Sequence, residues 1–357
     1  MDLTHILSAY QIEEPGISLE PLGTGLINHT WKVTTQDVSR SYVLQRINTS
    51  VFKHPEDIAY NIHTIATYLK KQYPAYLFVA PIKTIDNEEL YVDKKLGYFR
   101  LFTFIEHSHT FDVVSTTAHA YEAAHQFALF TRLLSGFEAS LLKITLPDFH
   151  NLTLRFEQFI KALNSGNQQR IIESKQTIDY LLEQRSIADT YKSISNDPQF
   201  KIRVMHHDTK ISNVLFDQQG RGLCVIDVDT VMPGYFISDV GDMMRTFLSP
   251  VSEEEKDGSK IEVRDDYFFA IVAGYLSEMG EELSETEKAH FVYAGKFMIY
   301  MQALRFLTDY INNDVYYGAQ YEGHNLVRAK NQTILLQRLM EKEEQLSKKL
   351  RSLSVAL

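Results

Sequence analysis

A single cysteine, Cys224, occurs in 357 residues. No intrachain disulfide and no cysteine-based metal site can therefore form, and a reducing compartment fits. Long hydrophobic runs are missing too: the most apolar stretch, Tyr267 to Leu276, is far shorter than the roughly 20 residues needed to cross a bilayer. The opening MDLTHILSAYQIEEPG has neither a basic n-region nor an apolar core, so no signal peptide is expected. Basic charge is in deficit. With 36 Lys and Arg against 46 Asp and Glu, the net charge is -10, which argues against a nucleic-acid partner. The P-loop pattern, the dinucleotide-binding glycine fingerprint and the HExxH metal motif are all absent. These absences leave a soluble, cytoplasmic globular protein as the expectation, and they say nothing of its oligomeric state.

What remains is ordinary in bulk and specific in pattern. Hydrophobic residues make up 44% and charged residues 23%, and the length suits two lobes or domains. Ile17 to Leu22, Thr30 to Thr35, Ser41 to Ile47, Leu77 to Lys83 and Tyr98 to Ile105 read as strands. A helix is expected over Glu56 to Lys71, where Ile58, Ile62, Ile65 and Leu69 recur at helical spacing. After His107 the character changes. Ala118 to Phe137, Tyr267 to Met279, Ala289 to Asn312 and Asn331 to Leu353 read as helices. In the last of these Leu335, Leu339, Leu346, Leu350 and Leu353 form one stripe. Within this helical half, Val214 to Phe216 and Leu223 to Ile226 flank DQQGRG, a hairpin signal. The fold class is thus α+β, a β-rich N-terminal lobe over residues 1–105 and a mainly helical lobe over 106–357.

The chemistry flanks that hairpin. His206-x-Asp208-x4-Asn213 precedes it and Ile226-Asp227-x-Asp229 follows it. Phosphoryl transfer needs a carboxylate near the attacking hydroxyl, oxygen ligands for magnesium and positive charge around the phosphates. An Asp five residues before an Asn on a tight loop can serve the hydroxyl and the metal respectively. A second Asp beyond an antiparallel pair returns to the same end of it. In the N-terminal lobe, Gly23, Gly25 and Asn28 of GTGLIN lie between two strand candidates, where glycines let backbone amides approach phosphates. Taken alone, His206 reads as a buried hydrogen-bonded residue, and Asp239 and Asp242 of SDVGDMMR as capping or loop-fixing carboxylates.

These segments resemble the catalytic and metal-binding segments of the aminoglycoside phosphotransferase and choline kinase-like family. The resemblance implies a protein-kinase-like two-lobed fold, ATP as phosphoryl donor and Mg2+ as cofactor. It also implies Asp208 as catalytic base, Asn213 and Asp227 as magnesium ligands, and a hinge at Phe104-Ile105-Glu106 that contacts adenine. The strand lysine that normally meets the phosphates corresponds to Gln45, and its helical glutamate partner to His63. Lys210 or a second magnesium is then the expected compensation.

Beyond those motifs, YVLQRINTSVF, FIEH, HHDTKISNVLFD, IDVDTVMPG, LRFLTDY and HNLVR resemble bacterial N-acetylhexosamine 1-kinases. That resemblance implies transfer to the anomeric hydroxyl of N-acetylglucosamine or N-acetylgalactosamine. Arg305, with its five donors in one plane, is the leading pocket residue; the alternative for it is an ion pair with Asp309 at i+4. Asp229, Arg245 and Tyr317 are further substrate-binding candidates. Three other readings stand beside this one: another small alcohol as acceptor (a different sugar, choline, homoserine), a nucleotide-binding pseudokinase regulator, and a metal-dependent hydrolase.

Overall fold

Strand alternation organises the first part of the chain. The computed structural model describes residues 3–13, 16–23, 27–35 and 40–354, the side chains of 353 and 354 excepted. Six strands form one sheet: β1 (Ser18–Pro21), β2 (His29–Thr34), β3 (Ser41–Arg46), β4 (Pro81–Ile82), β5 (Tyr91–Asp93) and β6 (Gly97–Thr103), ordered β1-β2-β3-β6-β4 with β5 also on β6. Among the described residues the pairings are antiparallel. Side chains on successive residues point to opposite faces. Val33, Leu44, Phe99 and Leu101 therefore share one face, packed on Leu3, Ile6, Leu7 and Tyr10 of the N-terminal segment, which includes helix α1 (Thr4–Ser8). The expected strand over Leu77 to Lys83 contracts to the two residues of β4. β5, three residues long, carried too short a pattern to be read.

Helix α2 (Pro55–Gln72) has Pro55 at its first turn with Glu56 and Asp57, and Lys70 and Lys71 in its last turn. That arrangement suits the helix dipole at both ends. Its buried face is Ile58, Ile62, Ile65 and Leu69, as the spacing predicts.

The chain divides into two compact units. The first comprises residues 1–110, 136–147 and 214–233; the second comprises 111–135, 148–213 and 234–357. The hairpin Val214–Phe216/Gly222–Val225 groups with the first unit, where His109 and Phe216 exchange backbone hydrogen bonds. Cys224 lies on its second strand, fully buried.

The second unit is helical: α3 (Thr117–Leu133), α4 (Leu152–Ser165), α5 (Gln168–Glu173), α6 (Lys175–Glu183), α7 (Ser186–Ile194), α8 (Phe236–Phe247), α9 (Asp265–Met279), α10 (Glu285–Lys288), α11 (Phe291–Ile311) and α12 (His324–Ser354). α11 is buried almost all round and packs against α4, α8 and α12. Gly241 permits the α8 contact, because a Cβ there would lie 2.4 Å from the Ala294 carbonyl oxygen. Leu335, Leu339, Leu346 and Leu350 of α12 are buried as one stripe; the side chain of Leu353 lies outside the described residues. Among the described residues, no helix is long and apolar enough to cross a membrane.

Candidate active site

The second unit fixes the loop after a short buried strand, Arg203–Met205. His206 is fully buried, its ring edge-on to Phe127 at 5.0 Å. Helix α8 then pins the loop by its backbone. Asp239 accepts hydrogen bonds from the amides of His206 (3.0 Å) and His207 (2.8 Å), and Asp242 accepts one from the amide of Thr209 at 2.8 Å. The Thr209 hydroxyl donates to the Asp239 carbonyl at 2.8 Å. Both carboxylates are thus loop-fixing. His207 adopts a left-handed backbone, φ 66°, an uncommon conformation for a non-glycine residue that such over-determined loops sustain.

Asp208 projects from this fixed loop. Asn213 Nδ2 donates to its backbone oxygen at 2.8 Å and to Oδ2 at 3.1 Å, and Lys210 Nζ lies 3.1 Å from Oδ2. The Asp208 side chain keeps 23% exposure, whereas Asp239 is fully buried. Burial pushes the Asp239 carboxyl up to about 7, with Asp242 and Asp208 adding to the rise and the two amide hydrogen bonds opposing it. Burial likewise raises Asp242. His150 faces His207, Nδ1 to Nδ1 at 3.3 Å, and burial together with His207 and nearby arginines holds His150 well below its ordinary value.

Arg245 pairs with Asp242 at 3.2 Å and Glu253 at 2.8 Å. Burial works against its charge, but the carboxylates outweigh that and hold the guanidinium above its ordinary value. Arg305 and Tyr317 line a cavity of about 360 Å³ with Arg155, Lys161, Thr308 and Tyr316. The Arg305 guanidinium carbon lies 5.4 Å from the Tyr317 ring centre and 5.8 Å from those of Phe149 and Tyr316, within reach of cation–π attraction. Asp309 is instead hydrogen-bonded by the amides of Tyr316 (2.7 Å) and Tyr317 (2.8 Å) and by Asn325 at 3.1 Å. It anchors the segment bearing both tyrosines.

The first unit holds the remaining candidates. The hairpin register pairs Val214 with Val225, and Asp227, two residues on, is left-handed at φ 58° before a single turn Val228–Thr230. Asp229 in that turn is buried. Its Oδ1 meets Arg100 Nη2 at 2.6 Å, its Oδ2 accepts from Asn28 Nδ2 at 2.8 Å, and its backbone oxygen accepts from Thr145 at 2.7 Å. Gln45 sits opposite Arg100 in the β3–β6 register. Phe104 extends that pairing through its amide to Ser41 (3.0 Å), with Lys32 Nζ 3.9 Å from its ring centre. Glu106 is exposed and Gly23 has φ 74°; Gly25 lies outside the described residues.

Two side chains escaped the sequence reading. Arg100, in an apolar strand, is 1% exposed. On α2, Asn61 rather than His63 faces the turn: its Nδ2 donates to the Val231 carbonyl at 3.1 Å, while His63 pairs with Glu89 at 2.7 Å.

Residues 18–268 match the sequence model of the phosphotransferase enzyme family, APH. The chain belongs to that family. It is a small-molecule phosphotransferase acting on an alcohol group. Its fold, a sheet-rich N-terminal region and a helical C-terminal region, is kinase-like. It is similar to the spectinomycin phosphotransferase APH(9)-Ia (TM-score 0.59, 14% identity, covering 96% of this chain and 97% of that one). A microcompartment-associated aminopropanol kinase gives a TM-score of 0.62 at 15% identity, covering 97% and 98%. A choline/ethanolamine kinase family protein from Mesorhizobium loti gives 0.58 at 16% identity, covering 95% and 92%.

Proposed function

We propose that this phosphotransferase uses ATP and Mg2+ to phosphorylate the anomeric hydroxyl of an N-acetylhexosamine, giving the sugar 1-phosphate. Residues 1–105 form the nucleotide-binding lobe in this reading, and 106–357 the catalytic and substrate-binding lobe. The observation that carries it is Asp208: an open carboxylate held between Asn213 Nδ2 and Lys210 Nζ, on a loop fixed from α8. Asp208 takes the proton of the acceptor hydroxyl as its oxygen bonds to the γ-phosphorus, and ADP leaves with the bridging oxygen. One spectinomycin phosphotransferase structure contains ADP and another contains AMP, in keeping with a nucleotide donor here. Gly23, Gly25, Asn28, Gln45, Phe104, Glu106 and Lys210 are assigned to the nucleotide.

The donor set suits magnesium, which takes few protein oxygens and leaves the rest to phosphate and water. Asn213 engages Asp208 through its amide nitrogen, so the group's oxygen is the atom it offers a metal. Asp227 supplies a carboxylate. When bound, the ion neutralises charge on the phosphate oxygens.

For the acceptor, the cavity lined by Arg155, Lys161, Arg305 and Tyr317 favours a neutral, hydrogen-bonding polyol over a quaternary or primary ammonium. Arg245 and Asp229, each held in an ion pair, are the further acceptor-binding candidates. Phosphorus NMR of the product, after incubation with ATP, magnesium and a panel of sugars and amino alcohols, tests the reading. A phosphate split by an anomeric proton, only with N-acetylhexosamines, is the expected result. A product on choline, aminopropanol or another sugar hydroxyl would overturn the acceptor assignment.

A further inference from the structure

A kinase-type nucleotide site ordinarily has a lysine on its third strand, paired with a helical glutamate. Here that strand position is Gln45, and the cation lies on the neighbouring strand. Phe99 and Leu101 point into the core beside Leu44, so alternation places Arg100 on the opposite face, in register with Gln45. Gln45 Nε2 donates to the Thr30 hydroxyl at 3.1 Å, which turns Oε1 toward Arg100. That single oxygen accepts from Arg100 Nε at 2.9 Å and Nη2 at 2.5 Å. Nη2 also meets Asp229 Oδ1 at 2.6 Å, and both side chains are about 2% exposed. The third guanidinium nitrogen, Nη1, is buried with no hydrogen-bond partner among the described residues.

We propose that Arg100 is a positioning residue of the nucleotide site, supplying the charge the strand lysine would carry and holding the Asp227–Asp229 turn, with Gln45 as its orienting acceptor. The inference rests on the ATP-dependent reading above. It explains why residue 45 is an amide: a lysine has no acceptor atom and would set two cations against each other. The glutamine is then the matched partner of a relocated charge rather than the mark of a lost one. The role given to the α2 glutamate elsewhere falls to Asp229, two residues after the proposed magnesium ligand Asp227. Lys210, the compensation expected from the sequence, lies 3.1 Å from Asp208 Oδ2.

The test is calorimetric titration of Mg-ADP, with steady-state kinetics in ATP and in acceptor, on wild type, Arg100→Gln, Arg100→Lys, Gln45→Lys and the double variant Gln45→Lys/Arg100→Gln. Arg100→Gln is expected to weaken Mg-ADP and lower kcat/KM for ATP by about tenfold or more, the range for losing a charge-assisted hydrogen bond. Arg100→Lys should recover part of the loss. Gln45→Lys should bind Mg-ADP more weakly than wild type, and the double variant should improve on Arg100→Gln. If Arg100→Gln fails to fold, Gln45→Lys decides alone: tighter nucleotide binding or a faster rate than wild type would overturn the proposal. Unchanged Mg-ADP affinity in Arg100→Gln would overturn it while leaving the nucleotide reading intact. Absence of Mg-ADP binding by the wild type would sink that reading and this inference together.

Discussion

Asn213 and Asp208 are joined twice, through the asparagine's Nδ2 to the aspartate's backbone oxygen at 2.8 Å and to its Oδ2 at 3.1 Å. The loop therefore sets the rotamer of its own carboxylate. Removing that carboxylate should leave the fold intact, because the pinning contacts run from Asp239 and Asp242 to backbone amides. Asp208→Ala is expected to keep its circular dichroism and lose about a hundredfold or more in kcat. A near-wild-type rate would remove Asp208 from the mechanism.

Asn213→Ala takes away both the brace and the proposed metal oxygen. The magnesium concentration giving half-maximal rate should rise, with kcat falling as Asp208 loses its orientation. An unchanged magnesium titration would refute the ligand assignment, whatever happens to kcat.

Arg305 lies among aromatic rings rather than on Asp309, with Nη1 donating to Gln302 Oε1 at 3.2 Å, and it lines the cavity that also holds Arg155 and Lys161. Arg305→Ala should raise KM for the proposed N-acetylhexosamine acceptor by about tenfold, comparable to losing a hydrogen bond from a charged donor, with KM for ATP little changed. Equal effects on both substrates would point to a general loss of structure. No effect on either would exclude Arg305 from the acceptor site.

Arg203 and Glu287 form a bidentate buried pair, Nη1 to Oε1 at 2.6 Å and Nη2 to Oε2 at 2.9 Å, and Glu287 also completes the capping box of α10 with Ser284. Glu287→Ala leaves the buried guanidinium without its carboxylate and removes the glutamate half of the capping box, the bond from the Ser284 amide. Urea unfolding should show a loss of about 3–5 kcal/mol, the range for breaking such a pair by truncating one partner. A change under about 1 kcal/mol would mean that the pair behaves like a surface bridge.

Asp239 gives the stability a pH dependence of definite sign. Its folded value, near 7, lies above the ordinary 3.8, so folding favours its protonated form. That contribution is fully present below about pH 4 and is lost as pH rises through 7. Unfolding free energy should therefore decline between those limits with a slope of up to about 1.4 kcal/mol per pH unit from this group. Asp239→Asn should flatten the profile; superimposable slopes for the two proteins would count against a raised carboxyl.

The geometry of the loop and its hairpin was legible in the sequence because it is local. Asp208, Asn213 and the hairpin that follows occupy one continuous stretch, and a tight loop leaves little freedom in their spacing. The strands and the long helices with apolar stripes were legible for the same reason. Helix α8 was not, since Asp239 and Asp242 point inward and interrupt the pattern that marks a buried helix. Arg100 was hidden more deeply. Within GYFRLFT an arginine reads as a solvent-facing residue of an alternating strand, and its burial depends on Gln45 from another strand and Asp229 from far along the chain. His63 follows from the family resemblance, whereas facing Val231 is a property of Asn61's place on the helix.

Burial pushes the thiol of Cys224 up to about 12. At neutral pH it forms almost no thiolate, the species that attacks alkylating reagents and disulfides. The native protein is in effect silent to thiol chemistry without any engineering. Two cysteines placed at exposed positions of one unit would alone accept dyes or spin labels, so the distance between them can be followed through a catalytic cycle. Any reagent uptake by the parent chain would time the moment at which its hairpin comes apart.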